Sequence, residues 1–162
     1  MIGALSGASI PERLTVCEVL ADPLKYDGKM ILLEGEINGS DEGGWLTASG
    51  CPTPFVTGGH TWPNSVFLQG NPIDKHNLHR VDFAYDDASE ARALAKAKRL
   101  GRKYPGKKLR WTYEGLFETR TDWESFLARY PNGTSRYIGF GDLSQAPAQL
   151  IVKAVHDVSV IP

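Results

Sequence analysis

Cysteine is nearly absent from this chain: Cys17 and Cys51 are the only two in 162 residues. Two cysteines make no disulfide framework, and no Cys-x-x-Cys pair or Cys–His spacing of the zinc type occurs. Two reduced thiols, one disulfide and half of a metal site all stay open at this level. An excess of charge of one sign is lacking as well. The formal net charge is −1, so no global field draws the chain toward nucleic acid or a membrane surface. No apolar run approaches the ~20 residues that span a bilayer. The opening residues, MIGALSGASIPER, hold a small apolar patch with no basic start and are too short for a signal peptide. Either no such segment exists or one has already been removed. There is no Gly-x-Ser-x-Gly elbow, and GGWL and GFGD match no phosphate-cradling fingerprint. Internal repeats and low-complexity tracts are missing too.

What is present suits one domain over residues 1–162, long enough to bury a core, with residues 1–13 expected as a flexible N-terminal segment. Apolar content of 41% and charged content of 23% are ordinary for a globular chain. The 17 glycines and 10 prolines are a raised share and point to many turns between short strands.

Thr15, with Glu18 three residues on, has the spacing of a capping box. Val16, Val19 and Leu20 then share one face, so a short helix is expected over residues 15–21. The strand KMILLEGEI follows the YDGK turn, and Gly35 within it marks a bend of the kind a small barrel needs. NGSDEGG reads as a hairpin loop, residues 45–48 as strand two, and the Pro- and Gly-rich residues 50–63 as loop. SVFLQ is strand three. Residues 86–104 form the one long helix, rich in alanine and capped by Asp86 or Asp87. Residues 107–119 alternate as strand four, with Gly115 at a kink. WESFLARYPNGTSRY holds a helical turn and an Asn-Gly turn. QLIVKAVHDVSVI is the last strand. The fold class is therefore mainly β with helices. It is an OB-like five-stranded barrel, with a short N-terminal helix and one long helix between strands three and four.

The sharpest charge feature is residues 96–110, which hold Lys96, Lys98, Arg99, Arg102, Lys103, Lys107, Lys108 and Arg110 and no acid. The rest of the chain then carries 10 basic against 19 acidic residues, a balance of −9. With Tyr104, Trp111 and Tyr113 nearby, this run is a candidate anion or nucleic-acid surface. The plainer reading is a solvated helix end that complements the helix dipole. His76 and His79, with Asp74 and Asp82 close by, form the best metal-like cluster, but no third ligand is set by spacing. Glu34 and Glu36 share a strand face, most simply a solvent face. His60 and His156 are isolated. Trp45 and Trp111 lie on strands and are expected in the core. Trp62 and Trp123 lie in loops and are expected on a binding surface.

The unit Val16-Cys17-Glu18-Val19-Leu20, Pro23, Tyr26-Asp27-Gly28-Lys29 and Glu34-Gly35 resembles a group of uncharacterised bacterial OB-like proteins, often exported or lipid-anchored. That group pairs a cysteine in the first helix with one after the second strand, the places of Cys17 and Cys51. Gly139-Phe140-Gly141, then Pro147-Ala148-Gln149-Leu150, resembles the group's Gly-aromatic-Gly-His motif, with Asp142 in place of the histidine. The resemblance implies a Cys17–Cys51 disulfide closing a loop of about 35 residues, worth roughly 3–4 kcal/mol in the chain-entropy model. It also implies a periplasmic or cell-envelope location; reduced cysteines would instead indicate the cytoplasm.

The function expected first is a non-enzymatic binding or interaction module without a cofactor, its partner another protein or an anionic ligand. Its candidate contacts are Lys96, Arg99, Arg102, Lys103, Lys107, Lys108, Arg110, Trp62 and Trp123. The alternative is a nucleic-acid-binding OB domain using residues 96–110. The third reading is a metal-dependent enzyme using Asp74, His76 and His79.

Overall fold

The structure, a computed structural model, describes residues 9–40 and 43–162. Residues 1–8 of the segment expected to be flexible lie outside the described residues. Glu12 and Arg13 of that segment begin strand β1 (Glu12–Thr15). Among the described residues no helix is long and apolar enough to cross a membrane.

The expected capping box forms. Glu18 N donates to Thr15 Oγ1 at 3.2 Å and Thr15 N donates to Glu18 Oε2 at 2.7 Å, starting α1 (Val16–Ala21). Val16, Val19 and Leu20 are buried on its inner face. Pro23 opens a second turn of helix, α2 (Pro23–Tyr26), where its missing N–H loses nothing. The chain then turns through Asp27 and Gly28. Gly28 has φ +75°, a conformation that favours glycine, and its N–H donates to Phe117 O at 2.8 Å.

Five strands close into a mixed barrel. They are β2 (Lys29–Ser40), β3 (Gly43–Thr47), β6 (Ser65–Gln69), β7 (Leu109–Thr119) and β10 (Ala148–Val160). Residues Lys29–Gly35 of β2 pair antiparallel with β7, and Glu36–Ser40 pair antiparallel with β3. The change of partner falls at Gly35, where the bend was expected. β3 pairs antiparallel with β6, β6 runs parallel to β10, and β10 returns antiparallel to β7. This is the connectivity of an OB-like barrel, with the long helix α3 (Asp87–Lys103) joining the third and fourth barrel strands. Gly115 packs where no side chain fits: a Cβ there would lie 2.3 Å from Ile151 O.

Helix α3 buries only Ser89 and Ala93. Its start is docked on irregularities of β10, whose register to β7 shifts between Val152 and Ala154 and between Val155 and Asp157. Asp86 N donates to Lys153 O at 2.8 Å, and Val155 N donates to Ser89 Oγ at 2.9 Å. Backbone groups of β10 beside these shifts are thus satisfied by the helix N-terminus.

The structure adds elements that sequence patterning did not resolve. β1 runs parallel to the first half of β2. The 38–44 segment expected as loop is largely ladder, with Asn38 opposite Trp45 and Gly39 opposite Gly44. The 50–63 loop contains a small hairpin, β4 (Val56–Thr57) and β5 (His60–Thr61). The 120–137 segment contains a 3-10 turn (Glu124–Phe126) and a second hairpin, β8 (Leu127–Arg129) and β9 (Ser135–Tyr137).

Two cores result. The barrel core holds Ile31, Leu33, Leu46, Val66, Phe117 and Leu150 among others, with α1 over it. A second core lies outside the barrel wall, made of Trp62, Phe67, Trp123, Phe140 and Ala146, with Trp45, Phe55 and Tyr137 packed against it. It joins the two insertions to the outer face of β3 and β6.

Candidate binding site

Cys17 and Cys51 lie at bonding distance, Sγ–Sγ 2.12 Å, tying α1 to the chain just after β3. They are a staple of the fold, so neither thiol is available for catalysis or metal binding.

The basic residues of 96–110 do not act as one free patch. Lys96 pairs with Asp157, whose carboxyl is held below the usual carboxylate range by that hydrogen bond. Lys108 pairs with Glu36 at 3.3 Å. Arg110 is half-buried on β7. Arg99, Arg102, Lys103 and Lys107 are exposed and form no ion pair among the described residues. Trp111 and Tyr113 are turned into the barrel core, and burial pushes the Tyr113 phenol up. Of the aromatic side chains near the run, only Tyr104 stays exposed, with Lys103 Nζ 5.3 Å from its ring centre.

His76 and His79 are drawn to different carboxylates. His76 Nδ1 lies 3.0 Å from Asp74 Oδ1. His79 Nδ1 lies 2.9 Å from Glu118 Oε2, and its Nε2 lies 3.8 Å from Asp27 Oδ2. Glu118 went unnoticed in the sequence, where it looks like one more polar residue at a strand end. It has no exposed surface. Its carboxylate accepts from Leu78 N at 3.0 Å, from His79 N at 2.9 Å and from Gln149 Nε2. Asp27 Oδ1 in turn accepts from Thr119 N at 2.9 Å. The network pins the 71–80 segment to the barrel end. Among the described residues no group of three His, Cys, Asp or Glu side chains is placed to hold a metal. The expected grouping of Asp74, His76 and His79 is therefore not assembled.

Trp111 lies in the core as expected, and the other three tryptophans depart from expectation. Trp62 and Trp123 are 3% and 8% exposed and pack with ring centres 4.6 Å apart and planes tilted by 43° in the second core, so they offer no open platform. Loops that pack on each other bury their aromatic residues as a sheet does. Trp45, expected inside, is instead half-buried on the outer wall, its ring centre 5.6 Å from that of Phe67.

Residues 139–146 cross this wall. Gly141 comes so close that a Cβ would meet the Phe67 ring at 2.8 Å. Phe140 N donates to Ala146 O and Gly139 N to Ser144 O, each at 2.8 Å. Ser144 has φ +52°, the one positive φ at a non-glycine among the described residues. Strain of this kind persists where the surroundings hold it in place, and here it sets Leu143 and Gln145 beside Trp45. A cleft opens on each side of the segment.

The first cleft, of about 360 Å³, lies around Trp45 and is walled by Asn38, Thr47, Asn64, Ser65 and Gln145. The second, of about 400 Å³, takes Asp74, His76, Arg120, Asp142 and Gln149. Arg120 lies over Phe126 and Phe140, 3.6 and 4.6 Å from their ring centres, and its Nε donates to Ile138 O at 3.1 Å. Burial lowers its pKa, against an opposing pull from Glu118. Arg120 escaped notice because cation–aromatic caging leaves no local pattern in a sequence. Asp142, at the motif's histidine position, is exposed on this second wall.

Comparison with family models, with curated proteins and with solved structures gives no match for this chain.

Proposed function

We propose that this protein is a non-enzymatic binding module of an oxidising compartment, the periplasm or cell envelope. It takes its ligand on the outer face of β3 and β6, under the 139–146 segment. The observation that carries this reading is the second core. It holds a strained loop across the barrel wall and leaves a preformed cleft beside a half-buried tryptophan. Preformed concave sites with an aromatic wall and a few polar groups are the usual form of a small-ligand site. The paired cysteines support an oxidising compartment. The resemblance of the first unit and of Gly139-Phe140-Gly141 to exported OB-like proteins points the same way.

A thermal-shift screen of the disulfide-intact protein tests it, with neutral oligosaccharides, acidic peptides and single-stranded oligonucleotides as probes. At least one class should raise the unfolding midpoint of the wild type and fail to do so for Trp45→Ala. A screen in which no class acts, or in which Trp45→Ala responds as the wild type does, removes the reading.

Nucleic-acid binding through residues 96–110 is the second reading, favoured by the exposed Arg99, Arg102, Lys103 and Lys107 around Tyr104. It predicts oligonucleotide binding that weakens steeply with salt and is lost in Arg102→Glu with Lys103→Glu. Metal-dependent catalysis at Asp74, His76 and His79 has the least support, because each histidine already faces its own carboxylate. Zinc uptake by the purified protein would revive it.

A further inference from the structure

The Trp45 cleft differs in chemistry from the clefts around Arg120, Trp62, Lys96 and Gly58, each of which is lined by charged or histidine side chains. Five side chains that wall it, Asn38, Thr47, Asn64, Ser65 and Gln145, are neutral amides and hydroxyls. Among the described residues no Asp, Glu, Lys, Arg or His lines it, in a chain where 23% of residues are charged. Thr47 Oγ1 donates weakly to Glu36 O at 3.3 Å. The side chains of Asn64, Ser65 and Gln145 have no hydrogen-bond partner among the described residues. Trp45 supplies a flat, polarisable wall, backed by Phe67.

Among the described residues an anionic ligand would find no cation here, and a cationic one no carboxylate. A purely apolar ligand would strip water from several amides and return nothing, which is costly for each group left unpaired. A polyhydroxylated ring meets both demands. One face of a pyranose carries only C–H groups and lies against an indole, while its hydroxyls donate and accept at once, as amide and hydroxyl side chains do. The cleft volume of about 360 Å³ falls within the ~300–1,000 Å³ usual for small-molecule sites. Its open form suits a chain of sugars better than an enclosed monosaccharide.

Resting on the binding-module reading above, we propose that the Trp45 cleft binds a neutral oligosaccharide. One sugar ring lies on Trp45 and its hydroxyls bond to Asn64, Ser65 and Gln145. Trp45 is the only tryptophan more than 9% exposed, since Trp62, Trp111 and Trp123 are buried. A ligand-induced change in tryptophan emission therefore reports this cleft first.

The test is titration of the disulfide-intact protein with cellohexaose, chitohexaose and maltohexaose, read by tryptophan fluorescence and by heat. At least one should give a saturable signal in both, insensitive to added salt. Trp45→Ala should abolish it, and Gln145→Ala, at an exposed position, should weaken it roughly tenfold. Trp45→Phe, which keeps an aromatic wall, should retain part of the affinity, and circular dichroism of each variant shows whether it is folded. If none of the three sugars binds the folded wild type, or if binding survives unchanged in folded Trp45→Ala and Gln145→Ala, the proposal is wrong. An acidic peptide or oligonucleotide whose binding is lost in Trp45→Ala would overturn the saccharide class and leave the binding cleft standing. Indifference of every probe to Trp45→Ala would overturn both.

Discussion

The Nδ1 of His79 lies 2.9 Å from the Oε2 of Glu118, a carboxylate with no solvent exposure. One buried charge thus organises a segment that has no helix or strand of its own. Removing the carboxylate would strand two backbone N–H groups and leave the Gln149 amide only its bond to Asn77 Oδ1. Glu118→Ala should lower the unfolding free energy by about 3 kcal/mol, measured by urea denaturation. Amide exchange over residues 71–80 should speed up more than that of the barrel strands. A loss below ~1 kcal/mol would mean that the segment is held by something else.

The Cys17–Cys51 bond spans a sequence separation of 34. Chain entropy assigns it roughly 3–4 kcal/mol. The double variant Cys17→Ser with Cys51→Ser should unfold at correspondingly lower denaturant, and thiol titration of unfolded, unreduced protein should find no free cysteine. Two free thiols in protein purified without reductant would contradict the staple and weaken the case for an oxidising compartment.

Gly115 sits opposite Val152 and Ile31, at the point where β7 is shared between two neighbours. A methyl group there would overlap Ile151 O, which is backbone and has nowhere to move. Gly115→Ala should therefore cost more than 3 kcal/mol and yield little folded protein on expression. Gly101→Ala, at a helical position with open space, should be neutral or stabilising. Equal behaviour of the two variants would remove the steric account of the barrel's closure.

The pH dependence follows from Asp157, whose carboxyl is depressed by its hydrogen bond to Lys96. The folded state holds this proton less tightly than the unfolded one. The contribution is complete above the unfolded carboxylate value of about 3.9 and is lost as pH falls through the lower folded value. Asp157→Asn should make stability less acid-sensitive in that window. The effect should be small and should fade with salt, because both partners are nearly half exposed. A variant with unaltered acid sensitivity would show that the pair carries none of it.

Local signals in the chain carried the barrel well. The Thr15–Glu18 box, SVFLQ and the alanine-rich helix each act through neighbours in sequence or through a strict period, and each lies where it is expected, while Gly35 marks the change of partner along β2 and Gly115 a close approach to β10. β1 did not announce itself, because four residues are too few to show a period. The site was far less legible. Glu118, His79 and Asp27 meet only after the barrel closes, and no spacing encodes that meeting. Trp62 and Trp123 sit in loops, and loop positions suggested exposure. Their mutual burial depends on two insertions finding each other across the β3–β6 wall. Trp45 was misread for the opposite reason: a strand residue faces a core only on one side, and a single tryptophan does not say which.

Amide chemical-shift mapping of the disulfide-intact protein, titrated in turn with chitohexaose, cellohexaose, maltohexaose and a single-stranded oligonucleotide, tests the central claim most directly. The account predicts that a neutral sugar shifts Asn38, Trp45, Asn64 and Gln145 and leaves the exposed basic residues from Lys98 to Lys107 in place. Shifts confined to that basic stretch, or no shift near Trp45 with any ligand, would contradict it.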